Sequence, residues 1–406
     1  MLRITSRPAA VVVLGASLLF SPTARAIVVD QMFAFGDSLS DSGNAAALTS
    51  GGATSSFFPP SQPNPFGTDP AALPYDYRFS NGPTAIEQLA GLLGVAPSLP
   101  AWPTSPDNPN PNFAVGGAMT GPAPTDASIP PALRGLCCNF NWLVNSPAGL
   151  QPGFAAVQNT GINNQIALFQ SRLTNGSIPS FDPARTLFSV WGGPNDVFLA
   201  LALANNAALG LSSQQQLAVL QGYTMNAAMN IGLDIHALAL LGGKNFLVPN
   251  MPDLGETPFG LSQDIGAQTL LTQLSQLFNG VLDGTLAQLR QDPTVDIIEF
   301  DTFKALDDLI DSDPPIFLNT TQPCFDATSD QTIALSIPRI VGGCQNDLFF
   351  DSVHPTFATA SILAEEMRAA VPEPNALAML ATAMLAAGWF GARPLKTRRL
   401  DLPGRA

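Results

Sequence analysis

Short apolar runs with the length of β-strands alternate along this chain with stretches of helical pattern. The runs lie at residues 32–35, 186–191, 245–248 and 295–300. Alternation of this kind is typical of a doubly wound α/β fold, in which helices cover both faces of a mainly parallel sheet. The sequence therefore predicts an α/β protein built around such a sheet.

A serine follows the first of these runs in a turn-forming sequence. Gly36 and Asp37 favour a turn, and the residues from Leu39 onward are able to open a helix. Ser38 is then exposed at the end of a strand, beside backbone N–H groups that can bind a developing oxyanion. Because most such sequences are ordinary polar turns, a nucleophilic role for Ser38 depends on a base elsewhere in the chain.

The chain offers only two histidines as that base, His236 and His354. His236 lies within a long helical pattern, which is typical of a packed or half-exposed helix residue. Asp351 lies three residues before His354 in the same loop, where its carboxylate can orient the imidazole and stabilise its protonated form. Pro355 suits the first position of a helix that starts there. We therefore predict that His354 is the base and Asp351 its partner.

Two further segments carry groups that can bind an oxyanion. Residues 112–118 form a predicted short strand ending in glycines, so the backbone N–H of Gly116 can approach a substrate without obstruction. Asn195 follows the run 186–191 and offers a side-chain amide at the end of a strand. Each segment alone is more often a simple turn, but together and in this order they support an acyl-transfer site.

These segments resemble the four sequence blocks of the GDSL, or SGNH, family of serine esterases and lipases. The resemblance covers about residues 32–370, and segments 78–83 and 250–258 are also similar to segments of the longer, lipase-like members. The family's site residues correspond to Ser38 as nucleophile and oxyanion donor, Gly116 and Asn195 as further oxyanion donors, and Asp351 and His354 as the acid and base of the triad.

The resemblance implies a three-layer α/β/α sandwich with a mainly parallel, five-stranded, flavodoxin-like sheet and a site on loops at the carboxyl ends of the strands. It also implies hydrolysis of carboxylic esters through an acyl-enzyme intermediate. A phospholipase, a lipid acyltransferase and a polysaccharide O-acetyl esterase share this chemistry and are alternatives, as is a catalytically silent surface or matrix protein. The chain has no G-x-S-x-G sequence, which argues against the nucleophile elbow of the α/β-hydrolases.

Composition disfavours several kinds of partner. Residues 27–370 carry nine basic residues against twenty-nine acidic ones, which is unfavourable for binding nucleic acid or an anionic membrane surface. A neutral small-molecule or lipid ester suits this charge better. No dinucleotide-binding or P-loop sequence is present, so no cofactor is expected. No metal is expected either, because the acidic group lacks the spacing of a calcium loop; its members are Asp307, Asp308, Asp311 and Asp313.

The first 26 residues have the organisation of a secretory signal peptide. Arg3 and Arg7 precede an apolar core at residues 9–20, and Ala24-Arg25-Ala26 is a small-residue cleavage site. After removal by a signal peptidase, the exported chain is expected to begin near Ile27. The hydrolase domain is then predicted to span residues 27–370.

The last segment, residues 371–406, combines three features. Pro372-Glu373-Pro374 precedes an apolar run at residues 376–392, and basic residues follow that run. Such a run can just span a bilayer with its basic end in the cytoplasm. The pattern resembles the PEP-CTERM sorting signal of Gram-negative bacteria, which implies transient membrane anchoring, processing by an exosortase-type enzyme, and a location in the envelope, at the surface or outside the cell.

Four cysteines fit an oxidising compartment. A disulfide between Cys324 and Cys344 would close a loop that leads into the catalytic segment, with a stabilisation of about 3 kcal/mol in the chain-entropy model. Cys137 and Cys138 are neighbours, so they can stay reduced, pair with each other or exchange with the other two. Their connectivity stays open on sequence alone.

Three long segments rich in Pro, Asn, Ser and Gly are predicted loop insertions, at residues 54–74, 97–111 and 121–153. Their aromatic side chains can line an acyl pocket or lid, or can equally pin the loops to the body. These aromatic residues are Phe57, Phe58, Phe66, Trp102, Phe140 and Trp142.

Overall fold

A parallel β-sheet forms the centre of the protein. The computed structural model describes residues 26–49, 78–96, 98–102, 110–140, 143, 156–324 and 344–372. Every pair of neighbouring strands is parallel, and the spatial order is β2-β3-β1-β4-β5-β6, which confirms the predicted α/β fold. The strands are β1 (Gln31–Gly36), β2 (Leu99–Pro100), β3 (Pro111–Asn112), β4 (Thr186–Trp191), β5 (Asn245–Pro249) and β6 (Asp296–Phe300).

The described sheet has six strands, where the family resemblance implied five. The strands β2 and β3 lie at the two ends of the segment 97–111, which the sequence predicts to be a loop. The strand predicted at residues 112–118 ends already at Asn112. Each of the two short strands contains a proline and no apolar run, so neither has a local strand signal. They are strands because β3 pairs with β1 and β2 pairs with β3.

Helices cover both faces of this sheet. The α-helices in the described residues are α1 (Asn44–Thr49), α2 (Ala85–Leu92), α3 (Ile162–Thr174), α4 (Pro194–Ala204), α5 (Ser213–Leu240), α6 (Pro258–Leu261), α7 (Ile265–Leu289), α8 (Thr302–Ile310) and α9 (Phe357–Ala370). Polar N-caps begin the two longest helices. Ser212 forms a capping box with Gln215 before α5, and the side chain of Asp264 accepts two backbone N–H groups before α7.

Side chains that alternate along β1 enter two separate cores. Phe33 and Phe35 belong to the core with α3, α4, α5 and α7, whereas Met32 and Ala34 belong to the core with α2, α8 and α9. Phe169 of α3 packs edge-on against both phenylalanine rings of β1, at centroid distances of 4.9 and 5.5 Å. Burial on both faces explains why β1 reads as a continuous apolar run.

The topology places a crevice at the carboxyl end of β1. The chain passes from β1 to β2 and β3 on one side and then to β4 on the other, so the strand order changes direction here. Gly36 and Trp191 pair at the ends of β1 and β4, which therefore finish at the same level. Loops that follow these two strands meet in the crevice, where doubly wound proteins bind their ligands.

The two ends of the described body lie together, because the N–H of Ile27 donates to the carbonyl oxygen of Pro372 at 2.7 Å. The predicted signal peptide up to residue 25 and the tail from residue 373, with its apolar run 376–392, lie outside the described residues. Within the part of the chain that is described, no helix combines the length and apolar character needed to cross a membrane.

A carboxyl group that the predicted chemistry does not use lies buried in α5. Asp234 is buried, and its Oδ2 has no hydrogen-bond partner among the described residues. Burial raises the pKa of Asp234 well above its ordinary value, and the negative charge of Asp196 raises it further. The folded protein therefore binds this proton more tightly than the unfolded chain does. The resulting stability is complete below about pH 4 and is lost as the pH rises through the folded-state pKa.

The variant Asp234→Asn is expected to be more stable than the wild type above about pH 4. The difference should grow by about 1.4 kcal/mol for each pH unit up to the folded-state pKa, because asparagine carries no proton to lose. Urea unfolding at several pH values between 4 and about 9 measures this. Asp308→Asn is the control, since that carboxylate is exposed beside Lys304 and contributes little. Equal pH dependence in Asp234→Asn and wild type would contradict the assignment.

Candidate active site

Three side chains from two distant segments form a continuous hydrogen-bonded chain in the crevice. Ser38, just after β1, has its Oγ 2.7 Å from Nε2 of His354. Nδ1 of His354 lies 2.7 and 2.9 Å from the two carboxylate oxygens of Asp351. The structure thus brings the predicted nucleophile, base and acid into the geometry of a proton relay. His236 lies in α5, as its helical pattern indicated, but it is exposed rather than packed or half-exposed.

The carboxylate of Asp351 is held in its ionised form. Its Oδ1 accepts the backbone N–H groups of Val353 at 2.9 Å and His354 at 2.8 Å. Burial alone would raise the pKa of Asp351, but the attraction of His354 and these hydrogen bonds outweigh it and lower the pKa. Burial would likewise lower the pKa of His354, yet the attraction and hydrogen bond of Asp351 raise it. The pair therefore stabilises an imidazolium.

Helix α9 fixes the loop that carries His354. Thr356 caps the helix, because its Oγ1 accepts the N–H of Thr359 at 3.2 Å. The same hydroxyl donates to the carbonyl oxygen of Asp347 at 2.8 Å. Since the helix begins at Phe357 after this cap, the prediction that Pro355 takes its first position was wrong. A threonine hydroxyl satisfies a helix N–H, so Thr356 takes the cap and Pro355 lies outside the helix.

Disulfides support the same loop. The structure pairs Cys324 with Cys344 and Cys137 with Cys138. The first pair packs against the buried ring of Phe350, the residue immediately before Asp351 in the chain. The backbone also contributes here, because the N–H of Cys324 donates to the carbonyl oxygen of Phe349 at 3.0 Å. These contacts connect the predicted disulfide to the position of the Asp351 carboxylate.

Asn195 lies at the start of α4, beside the nucleophile. Its Nδ2 donates to the carbonyl oxygen of Ala118 at 3.0 Å and to Oδ2 of Asp37 at 3.3 Å. The amide lines the same cavity as Ser38. The shorter bond fixes the direction of the amide, and the longer one is the bond that a substrate oxygen can replace. The location predicted for Asn195 is therefore observed.

Gly116 does not offer the free N–H that its predicted role requires. The N–H donates to Oδ2 of Asp41 at 2.8 Å, and the ring of Phe79 lies where a side chain of residue 116 would be. The next residue, Gly117, lines the cavity with Ser38, and its N–H has no acceptor among the described residues. Gly117 has a φ of 79°, a conformation that favours glycine. In a Gly-Gly pair, sequence contains no signal for which N–H is free.

Asp41 joins the first two sequence blocks and was not predicted. Its Oδ1 accepts the N–H groups of Gly43 at 2.7 Å and Asn44 at 2.6 Å. Its Oδ2 accepts those of Ala45 at 3.0 Å and Gly116 at 2.8 Å. The carboxylate thus caps α1 and holds the loop after β3 against the turn after β1. The available signal was an aspartate just before a short helix, a common N-cap pattern.

Asp37 is a second buried carboxylate at the nucleophile turn that the sequence did not indicate. Its Oδ1 accepts the N–H of Leu39 at 3.0 Å, and its Oδ2 accepts the amide of Asn195. Burial raises the pKa of Asp37 to about 6, against the hydrogen bond from Leu39 and the attraction of His354. Asp37 therefore connects the nucleophile turn to the amide across the crevice.

The segment 78–83, singled out by its resemblance to lipase-like chains, supports the histidine loop. Ser80 Oγ donates to the carbonyl oxygen of Pro355 at 2.9 Å, and Oδ1 of Asn81 accepts the N–H of Phe357 at 2.6 Å. The ring of Phe79 lies 5.3 Å from the imidazole, centroid to centroid. These contacts hold the loop of His354 in place on the side of Pro355 and Phe357.

Only part of the predicted aromatic pocket is observed. Phe140 lines the cavity beside Ser38, whereas Trp102 packs against Phe113 and Arg172 and so pins its segment to the body. The other predicted aromatics, Phe57, Phe58, Phe66 and Trp142, lie outside the described residues. Phe79 and Phe198 also line the cavity, although both lie outside the predicted loop insertions. Phe79 belongs to the segment 78–83 noted above, whereas no local pattern marks Phe198.

The acidic group after β6 is separate from this crevice. Asp308 pairs with Lys304 on the surface of α8, and both side chains are largely exposed. Among the described residues, one group of three side chains has ligand atoms close enough to hold a metal, Cys324, Cys344 and Asp347, but its two sulfurs are joined in a disulfide.

A sequence profile of the GDSL-like lipase/acylhydrolase family matches residues 32–367 of the chain. The protein is a member of the GDSL family. The match spans the sheet, the nucleophile turn and the histidine loop, so it includes every residue of the crevice described above. Membership makes this GDSL protein a carboxylic ester hydrolase.

Plant esterases are among the relatives of this GDSL protein. Acetylajmalan esterase 2 of Rauvolfia serpentina is 25% identical over 309 residues, which cover 73% of this chain and 75% of the relative. A GDSL esterase/lipase of Arabidopsis thaliana is 25% identical over 356 residues, covering 84% of this chain and 81% of the relative. At this identity the relatives support the reaction class of the GDSL protein.

The pH dependence of ester hydrolysis should report the charge balance of the triad. Neutral His354 is the form able to accept a proton, and its pKa is raised, so kcat/KM should increase with pH through a limb lying above about pH 6.5. In Asp351→Asn the attraction that raises the pKa is absent, so the limb should move to lower pH. The kcat should also fall by about 10⁴-fold, because the imidazole loses its oriented partner.

Steady-state kinetics on a soluble aryl ester between pH 5 and about 9 measures both effects. The matched control is Asp308→Asn, which removes an exposed carboxylate from α8 and should reproduce the wild-type profile. An acid limb that stays in place in Asp351→Asn would contradict the electrostatic role given to this carboxylate.

Proposed function

We propose that this chain is an exported serine esterase that cleaves carboxylic esters through an acyl-enzyme intermediate on Ser38. The observation that carries the proposal is the unbroken hydrogen-bonded chain from Asp351 through His354 to Ser38. A serine hydroxyl is a weak nucleophile unless a neighbouring base takes its proton, and here the base and its orienting carboxylate are both in contact.

In the first half of the reaction, Ser38 Oγ attacks the ester carbonyl carbon while its proton passes to Nε2 of His354. The new Oγ–C bond produces a tetrahedral intermediate, and Asp351 stabilises the imidazolium that forms. The carbonyl then re-forms from the oxyanion as the bond between its carbon and the ester's alcohol oxygen breaks. The imidazolium gives its proton to that oxygen, so the alcohol leaves neutral and the acyl group stays on Ser38.

Three donors face the position of the intermediate's oxyanion. They are the backbone N–H groups of Ser38 and Gly117 and the Nδ2 of Asn195, which exchanges its 3.3 Å bond to Asp37 for the substrate. Gly117 takes the place that the sequence assigned to Gly116, because the latter N–H is occupied by Asp41. Each such donor contributes about 3 kcal/mol to lowering the barrier.

Water completes the cycle by the same route in reverse. His354 accepts a proton from the water molecule, the hydroxide attacks the acyl carbon, and the bond to Oγ of Ser38 breaks. The proton returns to Oγ, so the acid is released and the resting triad is restored. No step requires a group that this chain does not supply.

Export and tail processing are part of the proposal. Their support is the composition of residues 1–26, with an apolar core and a small-residue cleavage site, and of residues 371–406, with Pro-Glu-Pro, an apolar run and basic residues. In a Gram-negative host, the intact mass of protein from the envelope and medium would define both ends. A chain that begins at Met1 and stays in the cytoplasm would contradict this part.

A fluorophosphonate probe tests the enzymatic part of the proposal. The purified protein should gain one probe adduct, and peptide mapping should place that adduct on Ser38, because only an activated serine reacts quickly. Prior heating to unfold the protein should abolish labelling. Absence of labelling, together with absence of turnover on aryl esters, would favour a catalytically silent surface or matrix protein.

A further inference from the structure

A cavity opens directly beside the nucleophile and runs along the first turn of α4. Its volume is about 170 Å³. Ser38, Asn195 and His354 form its polar part, and Phe140, Phe198 and Leu254 are among the residues of its apolar part. The oxyanion donors and the apolar wall therefore belong to one continuous space.

Phe198 has a fixed position in this wall. It follows Asn195 by one helical turn on α4, so both side chains face the same side of the helix. Its ring packs edge-on against Phe140 at a centroid distance of 6.3 Å and against Phe259 at 5.7 Å. Phe259 does not line the cavity, so Phe198 lies between the cavity and the ring behind it.

The acyl part of the ester is the group that fits this cavity. The leaving alcohol has to remain within hydrogen-bond reach of Nε2 of His354, because it takes its proton there. The acyl group is then free to extend along Asn195 toward Phe198. A second depression on the side of Thr84 and Trp191 measures about 10 Å³, which has room for about one water molecule and not for an acyl chain.

The size and polarity of the cavity set the class of acyl group. A cavity of roughly 150 Å³ holds a benzene molecule, and sites for drug-sized ligands begin near 300 Å³, so about 170 Å³ suits about six carbon atoms. The lining described here contains no lysine or arginine, and two carboxylates, Asp37 and Asp351, lie at or near Ser38. A negatively charged acyl group would be repelled, whereas a neutral apolar one would be accommodated.

From these contacts we infer that the enzyme prefers esters of short, neutral, apolar acyl groups up to about hexanoyl or benzoyl in size, with Phe198 as the residue that limits acyl length. The inference rests on the proposed function, since it takes Ser38 as the acylated residue. It assigns the side of the cavity formed by Asn195 and Phe198 to the acid part of the ester and places the alcohol part at the His354 side, toward the opening.

Nitrophenyl esters from acetyl to dodecanoyl test the inference. In the wild type, kcat/KM should be highest near butyryl and hexanoyl and should fall at least about tenfold by decanoyl, because added methylenes find no space. In Phe198→Ala the ratio of decanoyl to butyryl turnover should rise about tenfold or more, since each methylene admitted to an apolar site is worth about fourfold. Phe198→Trp should lower the ratio of hexanoyl to acetyl turnover, because the larger ring leaves less space for the acyl chain.

Leu233→Ala is the control variant, because this exposed leucine of α5 lies outside the cavity and its replacement should leave the chain-length profile unchanged. If Phe198→Ala does not fold, as judged by circular dichroism, Phe198→Leu replaces it with the same expected direction. Parallel profiles in the wild type and the folded Phe198 variants would overturn the inference while leaving the proposed function intact. A wild type that takes no fluorophosphonate and hydrolyses no ester would overturn the proposed function first.

Discussion

Replacing Ser38 by alanine should reduce kcat for ester hydrolysis by about 10⁶-fold, because the variant loses the atom that forms the acyl-enzyme bond. The fold should survive, since the Oγ of Ser38 makes its hydrogen bond to the imidazole of His354 and supports no other element. Turnover of an aryl ester, thermal unfolding and fluorophosphonate labelling, measured on the same preparation, separate loss of chemistry from loss of structure.

The matched control lies in the same turn. Ser42 is buried, and its Oγ has no hydrogen-bond partner among the described residues, so Ser42→Ala removes a hydroxyl without breaking a described bond. This variant should keep wild-type turnover and labelling. Full activity in Ser38→Ala would contradict the assignment of the nucleophile. Equal losses of activity in Ser38→Ala and Ser42→Ala would show that the substitutions had disrupted the structure of the turn.

Replacing His354 by alanine should be nearly as damaging as replacing Ser38. Residues that act as one unit in a triad are not additive, so removal of the base alone costs about 10⁶-fold in kcat. The structural reason is that Nε2 of His354 is 2.7 Å from the serine oxygen and Nδ1 is bonded to Asp351. A double variant, Ser38→Ala with His354→Ala, should be no less active than either single variant.

The second histidine provides the control for this experiment. His236 is exposed on α5, so His236→Ala should leave kcat and KM close to the wild-type values. Measurements at a pH above the acid limb avoid differences caused by protonation of the base. Substantial activity in His354→Ala, or a large loss in His236→Ala, would reverse the assignment of the base.

Residues with a strong local signal were predicted correctly. β1, β4 and β5 are apolar runs because both faces of a central parallel strand are buried, and such runs are visible without tertiary information. The edge strand β6 is less buried, and Ile297, Ile298 and Phe300 marked it. The scarcity of histidines made His354 and its neighbour Asp351 identifiable, and turn formers at a strand end marked Ser38. The two-residue strands β2 and β3 could not be found, because only pairing makes them strands: β3 pairs with β1, and β2 pairs with β3.

The limits of the sequence are clearest around the oxyanion site. In a Gly-Gly pair, the sequence does not show which backbone N–H is free. Here the N–H of Gly116 is occupied by Asp41, and nothing in the sequence around Asp41 indicates a partner 75 residues away. The contact of Phe79 with the imidazole and the place of Phe198 in the cavity wall depend equally on packing between distant segments. Such contacts have no periodicity that a pattern could reveal.

The sequence by itself determined the fold class and the family resemblance, and it singled out Ser38, His354 and Asp351, which the structure joins by hydrogen bonds. Each of these depends on residue type and short-range spacing, which the chain carries in linear form. Tertiary structure alone decided which backbone N–H groups are free of a partner among the described residues, which carboxylates hold the turn, and which aromatic rings line the cavity beside Ser38. These features depend on which groups are already hydrogen-bonded or covered, and that is settled only when distant segments pack together.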